Sequence, residues 1–387
     1  HGHVFVGANV PFGLVQVGPT SIPQTWDWCS GYHASDSTVI GFSHTHLSGT
    51  GIGDLFDITV MPVVGEVTYA RGEENDPASG LWSYADRTRE ITKPGYYSVP
   101  LVRYGITAEL TATERVGLHR YTFPASDAAA VVFDLENGGC WDKATDTGFR
   151  FSDDSTRIAG WRCSTGWAKN QEVYFVAEFS KPAKGISYLQ PGEIDDSKMP
   201  RIVARYARVD FDTAEGEQVL VKVALSPVSI EGAKANLAAE LPGWDFDATA
   251  AAADKAWNDE LSKVKIETED ETSKRIFYTT LYHTMVAPSL FCDVNGDYRG
   301  ADGKVHTAPG FTNYTTFSLW DTYRAAMPLM TVLHPEKMAD IVQTMLHIAD
   351  EQGRLPVWHL WGNETDCMVG NPGIVAVADA IVKGIGG

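Results

Sequence analysis

The hydrophobic pattern of this chain changes its period at about residue 235. Before that point, short apolar or alternating runs recur, separated by glycine, proline, asparagine and aspartate. Many short strands with no helical period between them predict an antiparallel β-sandwich. After that point, apolar residues recur at helical spacing. The predicted helices cover residues 229–240, 248–264, 272–287, 314–333, 335–349 and 372–383.

This change of period divides the chain into three predicted segments. Residues 1–235 form the β-sandwich, residues 236–270 a helical linker, and residues 271–387 the first part of a helical domain. Helices in series after a sandwich resemble the start of a barrel of helical hairpins. The predicted fold class is therefore a two-domain architecture, an antiparallel β-sandwich followed by a helical domain, which the family resemblance given below implies to be an incomplete α/α-barrel.

The net charge of −19 narrows the classes of partner. A strongly acidic chain repels nucleic acid and anionic membranes, so we expect no nucleic-acid partner. No apolar run approaches the roughly 20 residues of a membrane span.

The 5 cysteines show no CxxC spacing, which argues against a zinc site or a disulfide framework. A pairing of Cys140 with Cys163 stays open.

A mixture of aromatic and short polar side chains marks residues 26–54. The apolar face of a pyranose stacks on tryptophan, while aspartate and histidine bond its hydroxyls in fixed directions. Trp26, Asp27, His44 and His46 are therefore predicted to bind sugar. Because the two histidines alternate, a strand would present both on one side. With His33 as a third candidate they form an alternative zinc set, which we consider the weaker interpretation.

The segment FSLWDTYRA places an acid at the start of a predicted helix. Thr316 or Ser318 can cap this helix, which puts Asp321 in its first turn. Stabilisation of the carboxylate by the helix dipole is one interpretation. The other is sugar recognition, in which Trp320 supplies a stacking face, Asp321 a hydroxyl acceptor and Arg324 a charge partner.

A second acidic segment lies in WHLWGNETDCM. Asn363, Glu364 and Asp366 follow a glycine and two tryptophans and precede the last predicted helix. A helix cap with a solvated glutamate is one interpretation. Recognition of sugar hydroxyls, with a part in positioning water or calcium, is the other. Because pockets often form at domain interfaces, we expect both acidic segments to lie near Trp26 and Asp27.

Five motifs along the chain resemble those of one family and follow in the same order. They are WDWCSGYH, GFSHTHLSGTGIGD, TERVGLHRYTFP, FSLWDTYRA and GNETDCM. This succession is similar to that of glycoside hydrolase family 92. The resemblance runs from about residue 2 to the last residues of the chain. It implies a calcium-dependent, inverting exo-α-mannosidase whose helical domain is a six-hairpin α/α-barrel.

The resemblance also implies roles for the acidic residues. It places Asp321, Glu364 and Asp366 in the subsite for the terminal mannose, whereas the residues alone would make two of them the general acid and base. In the family the acid, the base and most calcium ligands lie further C-terminal. We therefore expect this chain to correspond to the N-terminal half, to contain no complete metal site, to need the C-terminal half as its partner, and to be inactive alone.

Two alternatives to hydrolysis of terminal α-linked mannose on N-glycans or mannan stay open. A mannosyl-phosphate hydrolase would need less help from an acid, because phosphate leaves more readily than a sugar alkoxide. A non-catalytic carbohydrate-binding fragment would use the sandwich alone.

The chain starts at His1 rather than Met. We therefore expect an upstream secretion signal and a secreted, periplasmic or cell-surface protein.

Overall fold

The structure is a computed structural model that describes residues 2–23, 25–150, 154–190 and 201–386. Strands come first and most helices follow. The strands are β1 (Gly18–Thr20), β2 (Thr38–Val39), β3 (Gly41–Ser43), β4 (Thr59–Val64), β5 (Ser83–Tyr84), β6 (Ile91–Lys93), β7 (Tyr96–Leu101), β8 (Ile106–Ala112), β9 (Val116–Phe123), β10 (Ser126–Asp134), β11 (Lys143–Arg150), β12 (Arg157–Thr165), β13 (Gln171–Phe179), β14 (Gly185–Leu189), β15 (Arg201–Val203), β16 (Tyr206–Thr213), β17 (Glu217–Ser226), β18 (Ser289–Leu290), β19 (Asp297–Arg299), β20 (Val305–Thr307), β21 (Tyr314–Thr315), β22 (Phe317–Ser318), β23 (Trp358–Leu360) and β24 (Asn363–Glu364). The helices are α1 (Ile230–Glu240), α2 (Phe246–Leu261), α3 (Glu271–His283), α4 (Leu319–Thr322), α5 (Ala326–Leu333), α6 (Pro335–Gln352) and α7 (Pro372–Val382).

Two large antiparallel sheets form most of the N-terminal region, and β2 pairs with β5 in a small separate sheet. Among the described residues, one sheet has nine strands in the order β15-β11-β12-β13-β17-β9-β8-β7-β6, and the other has six in the order β1-β3-β4-β10-β16-β14. Their side chains meet in a shared apolar core, where Phe133 of β10 stacks on Phe175 of β13 with ring centroids 5.8 Å apart. The predicted antiparallel, β-rich region followed by helices is confirmed.

The first helix packs on the outer face of the nine-stranded sheet. Ile230 and Leu237 of α1 are buried together with Val116 and Val176 of the sheet. The helix begins with a side-chain cap, because Ser229 Oγ accepts the Gly232 N–H. The predicted segment boundary at residue 235 thus lies inside α1, which is anchored to the sheet.

The later helices share a second apolar core. Methionines and isoleucines of α6 pack there against α5 and α7. As predicted, α6 begins at a proline, and it ends before Gly353, whose φ is +85°. Large apolar side chains on the same helices are exposed, including Val332 at 71% and Val382 at 81%. No helix within the described ranges is long and apolar enough to cross a membrane.

Two details of the predicted helices are wrong. Residues 314–333 do not form one helix, because β21 pairs with β18 and β22 pairs with β23. The aromatic and β-branched side chains of this run favour strands, and Thr316 has a φ of +66°. The helical spacing of Ile276, Leu281 and Met285 predicts one apolar face for the helix over residues 272–287; Leu281 and Met285 are buried, whereas Ile276 is 61% exposed.

Candidate functional site

Asp321 stands in a short helix that follows directly from a strand. The strand β22 pairs with β23, and β23 pairs with β24. Ser318 ends β22 and its hydroxyl donates to Asp321 Oδ2 at 2.6 Å. The Asp321 side chain is exposed, and its Oδ1 accepts no hydrogen bond from the residues that the structure describes. One carboxylate oxygen is therefore held, and the other is available to a hydroxyl donor.

Arg324 lies against aromatic rings near Asp321. Its guanidinium carbon is 4.7 Å from the ring centroid of Trp320 and 4.7 Å from that of Tyr323. A cation over an aromatic face is attracted by the ring quadrupole. The predicted pairing of Arg324 with Asp321 is thus replaced by this stacking, which fixes the half-buried Trp320 ring beside the carboxylate.

Glu364 is occupied by the backbone of its own loop. Its Oε1 accepts the N–H groups of Trp358 at 2.9 Å and Asp366 at 3.0 Å, and its Oε2 accepts the N–H of Val357 at 2.9 Å. A carboxylate that accepts three backbone hydrogen bonds has little capacity left for a ligand. The structure therefore gives Glu364 the task of shaping the loop, which differs from the predicted contact with sugar hydroxyls.

Asn363 joins the helical domain to the sandwich. Its side-chain oxygen accepts the Asn170 N–H, and its Nδ2 donates to the Asn170 carbonyl, each at 3.0 Å. Nearby, the rings of Trp167 and Trp358 lie 4.5 Å apart between centroids. Because both ends of its amide are used, Asn363 acts as an interdomain clamp and not as the free sugar ligand that the sequence suggested.

Asp366 is exposed and forms an ion pair with Arg354. Its backbone has a φ of +55°, an uncommon value outside glycine. Surface ion pairs contribute little to stability, so the pair orients the carboxylate without removing it from solvent. Asp366 thus remains accessible to a ligand that competes with Arg354.

Trp26 and Asp27 begin the sandwich side of the candidate site. Trp26 is 55% exposed and its indole donates to the Gly51 carbonyl at 2.6 Å. Asp27 lies 2.7 Å from His3 Nε2 and 3.0 Å from His33 Nε2. The hydrogen bond from His33 holds the pKa of the Asp27 carboxyl below its usual value. The aspartate is therefore ionised over the neutral pH range, and its two oxygens contact the imidazoles of His3 and His33.

His44 lies in the core of the sandwich. Its Nδ1 is 2.6 Å from the Ile58 carbonyl oxygen and so carries the proton. Its Nε2 then accepts from His119 Nε2 at 2.9 Å, and the Tyr121 hydroxyl donates to His119 Nδ1 at 2.7 Å. Burial lowers the pKa of His44 to about 3. The ring is neutral and fully used, so we leave it out of the sugar site.

His46 is buried in the same way. Its Nδ1 bonds the Gln16 carbonyl at 2.8 Å, and its Nε2 lies 3.4 Å from Thr20 Oγ1. Burial lowers its pKa to about 4.

Among the described residues no group of three or more histidine, cysteine, aspartate or glutamate side chains could hold a metal ion. All 5 cysteines are free, so Cys140 does not pair with Cys163.

A buried arginine supports the loops of the site, and sequence reasoning missed it. Arg162 is fully buried and forms ion pairs with Asp57, at 2.6 Å, and with Asp142. Asp54 Oδ2 accepts the Ala168 N–H at 2.9 Å, and burial raises the Asp54 pKa to about 7. Arg162 falls on the buried positions of β12. That alternation is the signal that could have found it.

A series of contacts connects the loop that contacts Trp26 with the loop that carries Asn363, whereas the predicted closeness of Trp26 and Asp27 to the acidic segments stays a prediction. The loop that contacts Trp26 includes Asp54, which holds Ala168. Two residues later, Asn170 bonds Asn363. These hydrogen bonds join the loops of the sandwich to the small sheet of β22, β23 and β24, although the residues involved are far apart in sequence.

Two family models match the chain, the glycosyl hydrolase family 92 N-terminal domain over residues 1–226 and the catalytic domain of the same family over residues 232–387. A family GH92 α-mannosidase from Bacteroides thetaiotaomicron, solved in complex with mannoimidazole, is 38% identical over 100% of this chain and 51% of its own, with a TM-score of 0.93. A family GH92 inverting mannosidase from the same species is 27% identical over 99% of this chain and 50% of its own, with a TM-score of 0.84.

A protein of Arthroderma benhamiae named an uncharacterized secreted glycosidase is 23% identical over 99% of this chain and 48% of its own length. The chain thus spans about half the length of the relatives it matches. Because the two family models together match almost every residue, the chain belongs to glycosyl hydrolase family 92.

Proposed function

We propose that this chain acts within an inverting exo-α-mannosidase that removes terminal α-linked mannose from N-glycans or mannan. The observation that carries the proposal is the likeness, over the whole chain, to an α-mannosidase that binds mannoimidazole, at 38% identity and a TM-score of 0.93. The half-free carboxylate of Asp321 beside the Trp320 ring supports it, because this pairing suits the hydroxyls and the apolar face of a pyranose.

In this proposal Asp321 binds the terminal sugar and is neither acid nor base. Inverting hydrolysis needs two carboxyl groups about 6.5–9.5 Å apart across the scissile bond. Glu364 is saturated by backbone N–H groups and Asp366 is paired with Arg354. We therefore place the general acid and base in the part of the relatives' length that this chain does not cover.

Calcium dependence is a further element of the proposal. Calcium takes about six to eight oxygen ligands. The oxygens of Glu364 and Asn363 already accept N–H groups, and the described residues contain no metal-binding cluster. The residues that the structure describes do not fit a calcium site, so we propose that the ligands lie largely outside this chain, and no step assigned to this chain depends on the ion.

The proposed partner of this chain is the C-terminal half of the same enzyme. The exposed apolar side chains on α5 and α7 support this, since Val332 is 71% and Val375 48% exposed. Contiguous exposed apolar surface usually marks an interface. We propose that further helices of a six-hairpin α/α-barrel cover it. We also propose export from the cytoplasm, which the name of the secreted Arthroderma relative supports.

Mannose release from 4-nitrophenyl α-mannoside tests the function in the protein made from the complete reading frame. We expect β-mannose as the first product by NMR, and loss of activity with a chelator. Loss of a charged hydrogen bond costs about 1.5–3 kcal/mol, so Asp321→Ala should lower kcat/KM about 10- to 150-fold. Asp350→Ala, at an exposed aspartate of α6, should leave kcat/KM within about two-fold.

The 387-residue chain alone should show no turnover. A general acid and a general base are each worth about 10²–10⁴ in rate, and neither is assigned here. Clear calcium-dependent release by this chain would overturn the proposal and return Asp321, Glu364 and Asp366 to the roles of acid and base.

A further inference from the structure

A short hairpin lies between the last turn of α6 and the loop that carries Asn363. It consists of β19, β20 and the turn that joins them, residues 297–307. The Arg299 carbonyl oxygen is 3.4 Å from the point that a Cβ atom on Gly362 would occupy. Arg299 also forms an ion pair with Glu172 of β13 at 2.8 Å. Because Gly362 directly precedes Asn363, a displacement of the hairpin alters the packing of this loop.

One largely buried carboxylate holds the hairpin on α6. Glu351 Oε1 accepts the Tyr298 hydroxyl at 2.7 Å, and Glu351 Oε2 accepts the Ala301 N–H at 2.7 Å. The Glu351 side chain is 7% exposed. Burial holds the pKa of Tyr298 well above its usual value, so the hydroxyl keeps the proton that it donates. These two hydrogen bonds join the hairpin to the end of the helix.

Glu351 has no permanent counter-charge. It lies in the last turn of α6, where the helix dipole disfavours a negative charge. Burial of a carboxylate without a cation adds to this cost. Within the described part of the chain its one ion pair is with His306, whose Nε2 is 4.0 Å from Glu351 Oε1. The charge of Glu351 is therefore balanced only while His306 is protonated.

His306 is built into the hairpin beside this carboxylate. Its Nε2 is 2.9 Å from Asp302 Oδ1, and its ring stacks on Tyr298 with centroids 5.6 Å apart. A Cβ atom on Gly300 would lie 2.6 Å from His306 Cδ2 and 2.8 Å from Glu351 Cδ. Glycine at this position thus allows the imidazole and the carboxylate to approach the same point of the backbone.

The other titratable groups of the hairpin do not replace His306. Tyr298 is a neutral donor. Lys304 Nζ is 3.6 Å from Asp302 Oδ2, and its side chain is 78% exposed. The Arg299 guanidinium is directed to Glu172. Neither cation forms an ion pair with the α6 carboxylate in the ranges that the structure describes.

We propose that His306 is a pH-sensitive latch, which acts with Asp302 and Glu351 to hold the hairpin on α6 and thereby sets the position of the loop that carries Asn363. In acid, the protonated imidazole lies between the two carboxylates and stabilises both. Imidazoles lose their charge between about pH 5 and 8. As the pH rises through this range, Glu351 stays buried without a cation, and the docking of the hairpin weakens.

Control of the loop rests on the proposed function, whereas docking of the hairpin does not. The two parts therefore need separate measurements on the protein made from the complete reading frame. Hydrogen exchange reports docking whether or not the protein cleaves mannosides. Turnover reports the effect of docking on the site.

Exchange of the Ala301 amide measures docking directly, because Glu351 accepts this N–H. After correction for the intrinsic pH dependence of exchange, we expect about 5- to 30-fold faster exchange at about pH 8 than at about pH 5.5. His306→Gln should exchange fast at both pH values, and His306→Lys slowly at both. The matched control His347→Gln, at a half-buried histidine of α6 that packs on Phe311, should keep the wild-type difference. Equal protection at both pH values in the wild type, or an unchanged difference in His306→Gln, overturns the latch.

Turnover of 4-nitrophenyl α-mannoside tests control of the loop. The ratio of kcat/KM for His306→Lys to that of the wild type cancels the titration of groups that both proteins share. We expect this ratio to rise about 3- to 10-fold between about pH 5.5 and pH 8, mainly through KM. A flat ratio in an enzyme whose Ala301 exchange depends on pH would refute control of the loop. Absence of cleavage would count against the proposed function, and the exchange result would still decide the latch.

Discussion

Replacing Glu364 with glutamine distinguishes a carboxylate that shapes a loop from one that binds sugar. Glutamine has the same shape but offers one acceptor oxygen. The least costly orientation keeps that oxygen towards the N–H groups of Trp358 and Asp366, now 2.9 and 3.0 Å from Oε1, and turns the amide towards the Val357 N–H. One charged hydrogen bond is then lost, at about 1.5–3 kcal/mol, and two are weakened. We expect a local destabilisation of about 2–4 kcal/mol.

Native-state hydrogen exchange measures this effect at the amides themselves. A loss of about 2 kcal/mol corresponds to about 30-fold faster exchange at Val357, Trp358 and Asp366. Glu267→Gln makes the same chemical change at an exposed glutamate and should stay within about 0.5 kcal/mol. Unchanged protection in Glu364→Gln, together with weaker sugar binding, would refute the loop-shaping role and restore direct contact with the substrate.

Three further predictions concern stability. Histidine titrates near pH 6.5 when unfolded, whereas burial lowers the pKa of His44 to about 3 and of His46 to about 4. The unfolded state therefore binds more protons, and the free energy of unfolding falls as the pH drops below about 6.5. His46→Asn should make the accompanying fall in the urea midpoint shallower, and an unchanged slope would contradict this prediction. Asp54 affects the free energy of unfolding in the opposite direction, because burial raises its pKa to about 7. Its stabilising contribution is present in acid and is lost as the pH rises from about 4 to 7. Asp54→Asn should therefore steepen the fall of the urea midpoint in acid, and a flatter profile would count against a buried, titrating Asp54. Asn363→Ala removes two hydrogen bonds to Asn170 and should speed hydrogen exchange of the Asn170 amide by about 5- to 30-fold, which corresponds to about 1–2 kcal/mol. The control Asn371→Ala, at an exposed asparagine, should leave that exchange rate unchanged. Equal protection of the Asn170 amide in both variants would exclude the clamp.

The order of strands and helices could be predicted because it depends on local periodicity. Apolar residues spaced as in α6 and α7 define a buried stripe before any tertiary contact is known. The prediction was wrong at residues 314–333, where aromatic and β-branched side chains form β21 and β22 with distant partners. A short apolar run is ambiguous between helix and strand, and pairing with another segment decides between them.

The histidines show the same limit within the site. Alternation indicates that His44 and His46 share a side of the chain, but it does not say how deeply that side is buried. In this fold Thr45 between them is also buried, so neither side of the segment faces solvent. The depth depends on what packs above the segment, and that packing is a property of the two sheets together.

By itself the sequence determined the two-part architecture, the aromatic and acidic residue types of the site, and the family to which they are similar. These depend on periodicity and on motifs that are continuous in the chain. Only the tertiary structure decided which polar groups remain available to a ligand. The partners that occupy Asn363 and His44 lie 193 and 75 residues away in sequence, and a hydrogen bond between such distant residues follows from the packing of the domains and not from local spacing.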